Sequence, residues 1–153
     1  MLPIFFVILL TVADQLSKLA VVQYLKPLGR VEIIKGFFSL TYVENRGAAF
    51  GALQGAKWFF VLLTLAVLVF ETIYYIKIRK EKNSFLTKCA LVLVAAGALG
   101  NCIDRLLRGF VVDMLDFRIF TYDWPVFNVA DICVVVGVFL AAFCVLKDEK
   151  DKK

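Results

Sequence analysis

Two carboxylates, Asp113 and Asp131, stand at the edges of long apolar runs and have no other evident duty. Around them the chain reads G-A-L-G-N-C-I-D-R-L-L-R-G-F-V-V-D from Gly97, then a short linker, then W-P-V-F-N-V-A-D. Asn101, Asp104, Arg105 and Asn128 therefore sit in or beside segments suited to hydrocarbon. Ionisable groups at membrane depth are costly, and such a group is first read as functional. Asp113 and Asp131 are too far apart to meet along one helix, but the Trp124-Pro125 corner and a chain reversal would bring them face to face. Two carboxylates held together cannot both ionise, so they share a proton and their pKa values split. One then serves as base toward a water and the other as acid toward a carbonyl or a leaving amine.

Composition sets the surroundings of that pair. The 153 residues are 61% hydrophobic with mean hydropathy +0.83, more apolar surface than a soluble chain of this length can bury. The solvent is lipid, and the length suits a single integral membrane domain over residues 1–153. The net charge of +5 is accounted for by Lys and Arg flanking the apolar runs. No basic stripe interleaved with aromatics appears, so no nucleic acid partner is expected. There is no His. This removes Ser-His-Asp and Cys-His catalysis, His-based zinc sites and His proton relays, and neither a metal nor a cofactor is expected. Cys89, Cys102, Cys133 and Cys144 lack C-x-x-C spacing and read as small buried hydrophobes.

The elements that must position the pair are four membrane spans, at about 2–22, 57–76, 84–103 and 127–146. The first lacks a basic leader, and Asp14, Gln15 and Lys18 interrupt it, so it reads as a retained helix and not a signal peptide. Asp14 and Lys18 are spaced i, i+4 and can pair, or else they mark a snorkelling helix end. Residues 26–56 are different. Period-two alternation at Arg30–Ile33 and strand formers at Phe38–Val43, with Gly36 between, predict a small antiparallel sheet on the membrane surface. Glu44 to Gly51 then runs from polar to small residues, which suits either close approach of an extended peptide or a plain loop. The expected fold class is membrane all-α, four transmembrane helices with a small extracytoplasmic β-sheet.

Basic density in Lys77–Asn83 and in the tail places both termini in the cytoplasm, although Arg30, Lys35, Arg46, Arg105, Arg108 and Arg118 fall on the other side. At ~1.5 Å per residue, Asp14 and Lys18 lie ~18 and ~24 Å along the first helix, Asn101 and Arg105 ~22 and ~28 Å along the third, and Asp131 ~6 Å below the start of the fourth. Polar groups of three helices thus converge on one layer near the outer face. Asn101, Asp104 and Arg105 share a helical face, with Asp104 expected to be the ion-pair partner of Arg105. Ser17 beside Lys18 points the wrong way for a Ser–Lys dyad. From residues alone the chemistry is that of an aspartic protease. A proton-coupled transporter or a non-enzymatic tetraspan subunit stays open; the first would favour an acid near the midplane, and the second would not explain two unpaired Asp at one depth.

Five blocks carry a family resemblance: A-D-Q-L-S-K from Ala13, E-N-R-G-A-A-F-G from Glu44, G-A-L-G-N-C-I-D-R from Gly97, V-V-D from Val111 and F-N-V-A-D from Phe127. In this order and spacing the chain resembles lipoprotein signal peptidase, the signal peptidase II family of bacterial membrane aspartic proteases, over nearly its whole length. The resemblance implies that Asp113 and Asp131 are the catalytic dyad. It further implies that Asn45, Asn101, Arg105, Asn128, Asp14 and Lys18 orient the dyad or the substrate. The substrate would be a prolipoprotein whose Cys carries a diacylglyceryl group held in membrane lipid, cut just before that Cys, in the bacterial cytoplasmic membrane. A cyclic peptide of the globomycin type would occupy the same site.

Overall fold

The computed structural model describes residues 2–47, 52–81 and 84–150. Four helices carry the chain to and fro: α1 (Leu2–Ala20), α2 (Lys57–Ile78), α3 (Phe85–Arg108) and α4 (Val129–Lys150). Each is long and apolar enough to cross a bilayer. Much of their apolar surface faces outward, with Phe5, Leu62, Phe70 and Phe139 all more than half exposed. In water that arrangement would be unstable, whereas in lipid it leaves the backbone polar groups satisfied inside each helix.

The hub is α3, which packs on the other three helices. Its small residues allow this. A Cβ at Gly97 would strike the Ala130 carbonyl oxygen and lie 2.7 Å from Val134 Cγ2, and one at Gly100 would lie 2.5 Å from Asp14 Oδ2. The helix outruns its expected end near Ile103 and stops at Arg108, so Asp104 and Arg105 are helical. Gly109 ends it in a left-handed conformation (φ +81°), its N–H bonding the Arg105 carbonyl at 3.1 Å.

Beyond α1 the chain makes a π-helical turn, Val21–Leu25, and enters an antiparallel sheet of β1 (Arg30–Ile34), β2 (Phe38–Asn45), β3 (Val111–Ile119) and β4 (Tyr122–Asp123), in that order. Gly36, at φ +71°, makes the β1–β2 turn as expected. The sheet is larger than residues 26–56 predict: β3 and β4 come from the stretch that reads as a linker. Val111 to Met114 are all buried, so the stretch lacks the polar–apolar alternation that marks a half-exposed strand. Val112 and Met114 pack on Val21 and Leu25 and form the small core that fastens the sheet to the bundle.

Register then decides what meets what. Val43 lies opposite Asp113 and Asn45 opposite Val111, after a shift between Leu40 and Val43. Asn45 and Asp113 are thus diagonal neighbours on one face. The returning chain pairs with the other edge of β3. Leu115 N–H donates to the Phe127 carbonyl at 2.8 Å, and Phe127 N–H to the Leu115 carbonyl at 3.1 Å. This pairing pins the start of α4 beside Asp113.

Candidate active site

Lys18 is fully buried, and an ammonium there must find three acceptors. It has them: Asp14 Oδ2 at 2.9 Å, Asp104 Oδ2 at 3.1 Å and Asn101 Oδ1 at 2.9 Å. The Asp14–Lys18 pairing is the one that the i, i+4 spacing predicts. The pairing expected for Asp104 is not found. Its partners are Lys18, Arg108 and the Val112 N–H at 3.1 Å, and not Arg105. Adjacent residues on a helix point about 100° apart, whereas Arg108 is one turn on and meets Asp104 directly. Asp14 Oδ1 reaches a third helix, accepting the Ala130 N–H at 2.9 Å in the first turn of α4, where backbone donors lack helical partners.

Three asparagines surround the second pair of carboxylates, and fixed neighbours set how each amide points. Asn101 must turn its oxygen to Lys18, which only donates, so its amide nitrogen faces Asp131 Oδ1 at 2.7 Å. Asn128 caps α4 in a reciprocal arrangement: Asp131 N–H donates to its side-chain oxygen at 3.0 Å, and Asn128 N–H donates to Asp131 Oδ2 at 3.1 Å. The Asn128 amide nitrogen is left facing Asp113 Oδ1, at 2.6 Å, and Asn101 Oδ1, at 3.2 Å. Asn45 holds its oxygen on the Gly47 N–H at 3.0 Å and gives its amide to Asp113 Oδ2 at 2.9 Å. Asp113 and Asp131 are therefore joined through Asn128. Among the described residues, neither forms an ion pair.

The two carboxylates differ in access. Asp131 is half-buried on the wall of a cleft of about 630 Å³, while Asp113, 2% exposed, lies behind that wall. Burial, reinforced by the charge of Asp131, pushes the Asp113 carboxyl from its ordinary 3.8 up to about 7, against the pull of the Asn45 and Asn128 amides and of Lys18. A group so placed can hold or release a proton near neutrality. Asn45, Asn101 and Arg105 also line the cleft, and its remaining wall is apolar: Phe60, Trp124, Ile132 and Val135. Arg105 is fixed by the Gly47 carbonyl at 3.2 Å and lies 4.4 Å from the centre of the Phe60 ring.

Sequence reasoning assigned no part at the site to Gln15 or Phe60, and read Gly47 only as one of a run of small residues and Trp124 only as part of the corner that reverses the chain. The Gln15 amide ties α1 to the Gly100 carbonyl of α3 at 3.0 Å and also donates to its neighbour Asp14 Oδ2 at 3.2 Å, a role its polar place in an apolar run could have signalled. Phe60 carries no such signal within a run of hydrophobes. Ala48 to Gly51, the small residues suited to close approach, lie outside the described residues.

Polar residues of three helices and a sheet at one bundle end would also suit a transporter, so comparison with known proteins is decisive. A family model described as signal peptidase (SPase) II matches residues 6–147. The lipoprotein signal peptidase of Clostridioides difficile (strain 630) is 46% identical over 154 residues, covering 99% of this chain and 100% of that one. That of Halothermothrix orenii is 45% identical over 144 residues, 94% of each chain. A solved bacterial membrane enzyme structure superposes with a TM-score of 0.87 at 36% identity, over 99% of this chain and 91% of that one. Likeness of sequence and of fold agree over the full set of spans and strands, and the chain belongs to the signal peptidase II family of multi-pass bacterial membrane proteases.

Proposed function

We propose that the chain is an aspartic endopeptidase that removes signal peptides from diacylglyceryl-modified prolipoproteins, cutting just before the lipid-modified Cys. One observation carries the reading: two carboxylates that have no cation of their own among the described residues are joined through one asparagine, Asp131 on the wall of a cleft that is otherwise largely apolar and Asp113 just behind it. Asp131 lines the cleft and is the base. It takes a proton from water as the water oxygen attacks the scissile carbonyl carbon. Asp113 gives its proton to the carbonyl oxygen, so the tetrahedral intermediate forms without a free oxyanion. On collapse Asp131 passes its proton to the leaving amine of the Cys, the C–N bond breaks, and Asp113 takes back a proton from the hydroxyl that becomes the new carbonyl. Asn45, Asn101 and Asn128 hold the two carboxylates in place, Lys18, itself held by Asp14 and Asp104, holds Asn101, and Arg105 faces the substrate backbone from the cleft wall.

The apolar wall suits a diacylglyceryl chain, which binds through ~0.8 kcal/mol per buried CH₂. A cyclic peptide of the globomycin type would compete for the same cleft. In this reading the chain is one integral domain with both termini and Lys77–Asn83 in the cytoplasm, and the cleft faces the outer leaflet. A cysteine at Lys35 should then react with an impermeant reagent from outside, and one at Lys80 should not. The function itself is tested by incubating purified protein with a prolipoprotein in lipidated and unlipidated form. Cleavage of the lipidated form alone is expected; equal turnover of both would refute the dependence on lipid, and cleavage of neither would refute the activity.

A further inference from the structure

The sheet ends, away from the bundle, in two hairpin turns that lie side by side. The Arg118 N–H donates to the Phe37 carbonyl at 2.8 Å, and the rings of Phe37 and Phe117 meet edge to face at 5.6 Å. At this end the chain turns its hydrophobes outward. Ile33, Ile34 and Phe37 of the first turn are about half exposed, and Phe120 of the second is 94% exposed. Phe120 also has φ +56°. A bulky residue in the left-handed region costs on the order of 1–3 kcal/mol, and a turn of this kind is ordinarily made by Gly or Asn. Here a strained backbone holds a phenyl ring clear of the rest of the described residues, so no contact among them offsets the arrangement. The ring's partner is outside them.

The patch has a continuation that identifies this partner. Tyr122 and Trp124, each about half exposed, stand edge to face 6.1 Å apart. Trp124 lines the cleft with Ile132, Val135 and Val136 of α4, and those three residues belong to the outward apolar face of a membrane span. An apolar strip thus runs from the lipid-facing side of α4 through Trp124 and Tyr122 to the tip at Phe120. Lys35 and Arg118, both exposed, flank the tip, Arg118 paired with Asp123 at 2.6 Å. Aromatic rings with basic neighbours form the belt that membrane proteins set at the level of lipid headgroups. Phe120 lies seven residues beyond Asp113, so the tip reaches ~23 Å from the carboxylates at 3.3 Å per residue.

We propose that the β3–β4 hairpin docks on phospholipid, its tip at Phe120 set into the leaflet on the cleft's side of the membrane. The sheet is then held at both ends, by Val21 and Leu25 at the bundle and by lipid at the tip. The rim of the cleft formed by Trp124 stays level with the headgroups, where a lipid-anchored chain would enter.

The chain has two tryptophans, Trp58 and Trp124, so a single indole can be placed at the tip. The variant Trp58→Phe, Trp124→Phe, Phe120→Trp is reconstituted in phosphatidylcholine–phosphatidylglycerol nanodiscs, with or without bromine on the upper acyl carbons. Its emission is read against aqueous iodide. Burial ~5–10 Å into the headgroup–acyl boundary predicts that brominated lipid removes about half of the emission while iodide removes little. A second arm needs no aromatic added at the tip. With Trp58→Phe alone, Phe120→Ser should weaken the quenching of Trp124 by brominated lipid about twofold as the hairpin lifts. Free quenching of the tip indole by iodide, with none by brominated lipid, overturns the proposal. Protection from iodide that arises only when a lipidated precursor is added also overturns it, because the patch would then be a surface for protein.

Discussion

Four carboxylates, three of them buried and Asp131 half-buried, lie within one layer of this molecule, and they fall into two pairs with opposite surroundings. Asp14 and Asp104 share the buried Lys18, and Asp104 also takes Arg108. Asp14 Oδ1 also accepts a backbone N–H from α4, and Asp104 Oδ2 one from β3. Asp113 and Asp131 receive only amide and backbone donors and, among the described residues, no cation. A buried charge that is paired and fully hydrogen-bonded positions what surrounds it. A buried carboxylate left to neutral donors is coupled to its neighbour and can change state. The first pair is scaffold, joining α1, α3, α4 and β3 at one point. The second is the pair to which we assign chemistry.

This contrast can be broken from either side. The largest effect is expected on turnover: Asp113→Asn or Asp131→Asn should reduce cleavage of a lipidated precursor by on the order of 10³-fold or more, with the folded yield retained. Asn keeps the size and one of the two acceptor oxygens and deletes the titration. Next comes Lys18→Met, which leaves Asp14 and Asp104 without their shared cation and should cost ~3–5 kcal/mol of stability. Folded yield and melting temperature in detergent check it. Asp104→Asn should be milder, because the one remaining oxygen can still accept from Lys18 and the Val112 N–H while Arg108, partly exposed, turns to water. It should lower melting temperature while turnover per folded molecule stays within about tenfold of the parent.

The smallest effect sharpens the comparison. The folded chain holds the Asp113 carboxyl at about 7, above its ordinary 3.8. The folded state therefore binds the extra proton, and stability is lost as pH rises from the lower value through the higher one. Asp113→Asn removes that loss. The variant should melt above the parent at pH well over 7, and the two should converge near the ordinary value, whereas Asp104→Asn melts below the parent throughout. An Asp113→Asn variant that is less stable than the parent at high pH would place Asp113 with the scaffold.

Much of this architecture is legible in the sequence, for identifiable reasons. The spans follow from apolar runs, and the layer follows from helical rise, because Asp14, Lys18, Asn101 and Asp131 need only be counted along their helices to be found at one depth. The Asp14–Lys18 pair follows from its spacing. What was not legible depends on contacts between elements. β3 is buried on both faces and hides its period, so the strand that carries Asp113 looks like a linker. Asp104 was given to its neighbour Arg105 because sequence proximity stood in for direction, while its true partner Lys18 lies on another helix. The part of Asn128 in joining the two carboxylates arises from the cap of α4 meeting the edge of β3, which no local pattern announces.

The central claim is that Asp113 and Asp131 act as one unit. It is tested most directly by turnover of a lipidated precursor by Asp113→Asn, Asp131→Asn and the double variant, each normalised to folded protein. Parts of one catalytic unit are not additive, so the double variant should lose no more than either single variant. Losses that multiply in the double variant, or near-normal turnover in either single one, would contradict the account.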